Sequence, residues 1–182
     1  MRYLQLTLLL SCCFFFSSFA QGRHGSKPSD NYVVTTKGDT INLYGDISMG
    51  DGLIYFKNEK GKNDMYAAKK VQYMIANNRI FKTLHVRGGV DLQEILAYND
   101  KYVLTQYVSG GAYFVYIWTR DFQPVEKELS LYTLHHQSKL IEKKIKPYFG
   151  DCKELIDKME TNIENKHDPC TYGISNFHCK GK

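Results

Sequence analysis

The segment Ala112-Tyr113-Phe114-Val115-Tyr116-Ile117-Trp118 constrains this chain more than any other. Extended backbone sends successive side chains to opposite faces. Phe114, Tyr116 and Trp118 then point one way, and Tyr113, Val115 and Ile117 the other. Both sets are apolar, so the strand has to be central and covered on both sides. Two more strand-like segments precede it, Val90 to Ala97 and Lys101 to Tyr107. Asn99-Asp100 and Ser109-Gly110-Gly111 separate the three. These connections are too short for crossovers, which predicts an antiparallel meander.

The region before the meander also reads as β. Tyr32-Val33-Val34-Thr35-Thr36 and Thr40-Ile41-Asn42-Leu43-Tyr44 flank the turn Lys37-Gly38-Asp39, which predicts a hairpin. Met49-Gly50-Asp51-Gly52 is a second turn signal, followed by a strand over Leu53 to Phe56. Asn58 to Asn63 reads as a polar loop. Tyr66 to Ile75 mixes helix and strand signals, and a strand beginning near Lys70 is the preferred reading. Arg79 to Val86 is a further strand.

The period then changes. Ser138 to Lys146 predicts a short helix with Leu140, Ile141 and Ile145 inward, stopped by Pro147. Asp151 and Glu154 suggest a capping-box-like start for a second helix. Cys152, Leu155, Ile156, Met159 and Ile163 fall on one face of it. The expected fold class is α+β: an antiparallel β meander or open barrel of about seven strands, packed by C-terminal α-helices. Residues 32–136 form the β-rich region, 137–165 the helical region of the same domain, and 166–182 a polar, Cys-containing tail.

Residues 1–20 read as a secretory signal peptide. Arg2 supplies the positive start, Leu4 to Phe16 an apolar core, and Ser18-Phe19-Ala20 a cleavage site before Gln21. Leu9-Leu10-Ser11-Cys12 also loosely matches a lipoprotein signal, but Phe14, Phe15 and Phe16 stand where a polar tether is usual. Residues 21–31 read as a flexible leader. The expected location is therefore outside the cytoplasm: periplasm, outer-membrane-associated or secreted, with peripheral or no membrane contact. The 182 residues carry a net charge of +5, and acids are interleaved with the bases. Nucleic-acid binding normally shows a clustered basic face, so it is not expected.

Cys152, Cys170 and Cys179 follow the signal. In an exported chain two would pair and one stay free. Cys170–Cys179 closes a short loop, whereas Cys152–Cys170 ties the tail to a helix. The sequence does not choose between pairings.

Two segments carry a resemblance. Tyr32-Val33-Val34-Thr35-Thr36-Lys37-Gly38-Asp39-Thr40-Ile41 is similar to the "Y-I-V-T-x-x-G-D-T-I" opening of uncharacterised exported proteins of Bacteroidota. Tyr148-Phe149-Gly150-Asp151-Cys152-Lys153-Glu154-Leu155 resembles their "Y-F-x-D-C-x-x-L" segment, with Lys153 where many relatives have proline. The resemblance implies a β-rich domain in a bacterial envelope, and no activity.

No motif specifies a reaction. His167, Cys170, His178 and Cys179 are competent zinc ligands, yet their spacing is wrong for a tetrahedral site, so no metal or other cofactor is expected. His135-His136 point apart in either regular structure. Cys152 at a helix start could be an activated thiol, but it lies on the apolar stripe. Fourteen tyrosines are many for this length. Tyr113, Tyr116 and Trp118 are the candidates for an aromatic ligand groove, against the plainer reading that aromatics favour strands. The function expected is an exported cell-envelope binding or interaction module without catalytic chemistry, with a protein or glycan partner. The alternative is a small secreted hydrolase with a site assembled from scattered Asp, His and Tyr.

Overall fold

A computed structural model describes residues 30–86, 89–109, 112–125, 129–131, 137–170 and 173–180. Residues 1–29, on which the signal and most of the leader reading fall, and His135-His136 lie outside them. The fold is α+β, as expected, and its sheet is not closed into a barrel.

The hairpin β1 (Tyr32–Thr35) and β2 (Thr40–Asn42) forms around Gly38, which takes φ +88°. The chain then leaves the main sheet at Leu43, which is fully buried. It builds a separate three-stranded sheet from β3 (Tyr44–Gly50), β4 (Leu53–Lys57) and β5 (Asn63–Ala67). The β3–β4 turn has positive φ at both Asp51 and Gly52, which matches the right-handed twist of the strands it joins. A 3₁₀ turn, Ala68–Lys70, returns the chain to the main sheet as β6 (Val71–Ala76), beside β1. There follow β7 (Arg79–Val86), β8 (Gly89–Tyr98), β9 (Tyr102–Ser109), β10 (Ala112–Thr119) and β11 (Leu129–Leu131). The main sheet runs β11-β10-β9-β8-β7-β6-β1-β2, and the pairings along this order are antiparallel.

The meander is as expected. Val115 and Ile117 pack in one cluster, while Tyr116 and Trp118 pack in another. The second cluster also holds Leu84 and Val86 of β7. Two strands separate β7 from β10, so the sheet curls about this face. The opposite face is covered in two parts. Near β1 and β6 the small sheet lays Ile54 and Phe56 on Val33, Met74 and Phe81. Near β9 and β10 the helices lay Ile141, Ile145, Phe149, Leu155 and Met159 on Leu104, Val115 and Ile117.

The first helical run does not stop at Pro147. It extends over 137–149 through Gln137–Leu140, a π-turn Ile141–Ile145, and Lys146–Phe149. In the π-turn the Lys146 N–H donates to the Ile141 carbonyl. The wider turn gives the proline ring, which has no N–H to place, a position at the start of a fresh helical turn. The second helix is Lys153–Glu164, and its N-cap is Cys152, not Asp151. The Cys152 N–H closes a turn onto the Phe149 carbonyl, and its own carbonyl accepts from Leu155 and Ile156. Helical geometry therefore starts beyond Asp151. Leu155, Ile156 and Met159 are buried as the stripe requires, with Ile163 half-buried.

Two features were not legible beforehand. Leu96 is an extra residue in β8, between the pairs Ile95↔Thr105 and Ala97↔Leu104. The bulge bends β8, and β12 (Phe177–His178) adds in parallel to Ala97 and Tyr98. A disulfide between Cys152 and Cys179 ties this strand to the second helix. That is neither of the pairings weighed from the sequence. Cys170 is the free thiol and is fully buried. Among the described residues no helix is long and apolar enough to cross a membrane.

Candidate functional site

The two covers on the main sheet do not meet. Between them opens a cleft of about 1280 Å³. The small sheet supplies one wall, around Met49 to Leu53, and the segment Gly173–Ser175 supplies another. The floor is the row of residues that cross-strand pairing aligns on this face. Phe81 of β7 pairs with Glu94 of β8, and Glu94 with Gln106 of β9. Arg79 stands two residues before Phe81, hence on the same face.

These side chains form a network. Arg79 grips the Glu94 carboxylate with two N–H groups: Nε donates to Oε1 at 2.7 Å, and Nη2 donates to Oε2. Gln106 Nε2 donates to Glu94 Oε2 at 2.8 Å. Glu94 is 3 % exposed, whereas the Arg79 side chain is 44 % exposed. The guanidinium therefore balances the buried carboxylate and reaches the cleft itself, and three of its five N–H donors remain for a ligand or water. Its carbon also lies 5.7 Å from the centre of the Phe81 ring. Two buried polar atoms on residues that line the cleft have no protein partner among the described residues: Gln106 Oε1 and Ser175 Oγ. Above the floor, Met49 and Val90 are exposed apolar residues.

The residues named from the sequence fall elsewhere. Tyr116 and Trp118 are buried, at 5 % and 2 % exposure, so their rings serve the interior and present no groove. The Trp118 indole N–H donates to Thr105 Oγ1 at 2.8 Å, and that hydroxyl donates to Gln93 Oε1. Tyr113 lies in the same strand; its side chain is outside the described residues. His178 is exposed and stacks on Tyr98, with ring centres 4.7 Å apart. Cys170 is buried in the helix-side core, away from the surface. Its thiol is pushed well above the usual range by burial, with the Asp168 charge adding to the effect. Among the described residues no three His, Cys, Asp or Glu side chains converge as metal ligands, so His167, Cys170 and His178 form no such site.

Sequence reasoning passed over Arg79, Glu94 and Gln106. The available signal was Gln93-Glu94 opposite Thr105-Gln106: two adjacent polar residues on each of two neighbouring strands of the meander. Alternation then places a polar pair inside each face of the sheet. No family model matches the chain, and neither the curated proteins nor the solved structures include one similar to it.

Proposed function

We propose that the protein is an exported cell-envelope module that binds a partner in this cleft by surface complementarity, without chemistry of its own. The observation that carries the reading is the way the floor holds Glu94. Both Glu94 oxygens are engaged by donors of the protein itself. A buried carboxylate held by three donors and paired with a guanidinium serves to fix Arg79 and Gln106 in place, and taking up a proton, as a general base must, would break that ion pair. Fixed polar groups beneath exposed apolar residues are the usual make-up of a recognition cleft. The signal-type N-terminus, the likeness to exported Bacteroidota proteins and the Cys152–Cys179 disulfide support an oxidising compartment outside the cytoplasm.

The test is a photo-reactive residue placed at Val90 in the native envelope, followed by mass spectrometry of what it captures. A reproducible adduct that disappears in Met49→Asp is the expected result. Equal capture by a probe placed at Met65, on the outer face of the small sheet, would sink the assignment of the cleft.

A further inference from the structure

We infer that the occupant of the cleft is an extended polypeptide segment bearing an aliphatic side chain, a conclusion that rests on the binding-module reading. Three properties of the lining select this class over a glycan or an anionic polymer.

The first is the lack of a free aromatic face. Sugar rings are gripped by stacking on aromatic faces, the use that tyrosine-rich grooves suggest. Only Phe81 and Tyr107 among the lining residues are aromatic. Phe81 is almost wholly buried and lies under the Arg79 guanidinium. Tyr107 stacks on Phe114, with ring centres 5.2 Å apart. The exposed apolar lining is aliphatic instead, led by Met49 and Val90. Methionine adapts its shape to varied apolar side chains.

The second is charge. Asp51 and Glu94 face the cleft against Lys69 and Arg79, whereas Asp91 pairs with Leu84 and faces the curled side. This balance leaves a lining without net charge, which offers phosphate or an acidic polymer no excess of cations and suits a neutral peptide.

The third is the pattern of unmet hydrogen bonds. Gln106 Oε1 needs a donor, Ser175 Oγ takes either role, and Arg79 has N–H groups left to give. An extended peptide offers N–H and C=O groups in alternation, which meets all three.

The experiment screens the whole mature protein against an array of random nine-residue peptides and, in parallel, against a tetramer of N-acetylglucosamine. Peptides rich in Leu, Ile, Val or Met are expected to bind. Val90→Asp should weaken them roughly tenfold or more, by placing a charge on the apolar wall. Ser175→Ala should weaken them about fivefold while leaving the melting temperature unchanged or raised, because it deletes a buried hydroxyl that has no partner in the free protein. A merely structural serine would show the reverse pattern. Tetrasaccharide binding with the same dependence on Val90 would overturn the peptide inference and leave the binding module standing. If neither probe binds, and Val90→Asp leaves capture from the envelope intact, both readings fall.

Discussion

Two polar networks lie back to back on the same pair of strands, and they differ in almost every respect. Gln93 and Thr105 face the curled side of the sheet, where the Trp118 N–H, the Thr105 hydroxyl and the Gln93 carbonyl form a neutral relay. All three residues are buried, at 2 % exposure or less. Their neighbours Glu94 and Gln106 face the other side, where the network is charged and ends in the half-exposed Arg79. A neutral relay can be sealed without a counter-charge, even though here it leaves the Gln93 amide nitrogen without a partner among the described residues. A buried carboxylate needs a counter-charge, and here that counter-charge reaches solvent. The difference teaches which side of the sheet serves stability and which is open to a ligand.

Breaking the sealed side should cost most. Trp118→Ala removes a buried indole and is expected to cost about 3–5 kcal/mol in denaturant unfolding. Trp118→Phe keeps most of the ring and should cost about 1–2 kcal/mol for the lost hydrogen bond. The disulfide offers a sharper contrast, because it holds the segment that walls the cleft. Cys179→Ser opens a loop with a sequence separation of 27 residues. The loss should be about 3–4 kcal/mol. Hydrogen exchange should rise over residues 173–178. Trp118 is the only tryptophan, so its fluorescence reports the sealed side alone and should stay native. A shifted emission would show that the two sides are not independent. On the open side, Glu94→Gln should cost about 1–3 kcal/mol, less than a fully buried pair because Arg79 keeps its solvent.

A smaller effect is read in pH. Burial keeps the Cys170 thiol protonated above its ordinary value of 9.0. As pH rises past that value the unfolded chain loses the proton first, so stability is level below it and falls above it. The slope should approach about 1.4 kcal/mol per pH unit. Cys170→Ala should remove the part of the fall that begins at that value, and native alkylation should find one disulfide and one protected thiol. The smallest change, Met65→Lys on the outer face of the small sheet, should stay within about 0.5 kcal/mol.

The sequence showed the fold where one residue pattern had one solution. The two-faced apolar run at Ala112 to Trp118 demanded cover on both sides, and the stripe Leu155, Ile156, Met159 demanded a sheet to lie on. Legibility failed where pairing, not pattern, decides. In β3, Tyr44–Gly50, no residue is fully buried, so no alternation announces it. It is a strand because β4 offers it partners. Pro147 looked like a stop because a π-turn leaves no mark in composition. The cleft was invisible for a related reason. Its floor comes from three strands brought into register, and its far wall from a segment some eighty residues further along the chain than Glu94.

The position of the disulfide sets an order of events. Cys152 and Cys170 both leave a ribosome or a translocation pore before Cys179 does. For that interval each has only the other as an intramolecular partner among these three. The native bond therefore has to wait until β12 has emerged and lodged against the bulge in β8, while burial of Cys170 beneath the helices withdraws the competing thiol. Packing thus acts as the proofreader of the covalent step, and a variant that loosens that core should accumulate the wrong cross-link during synthesis even where the finished protein tolerates the change.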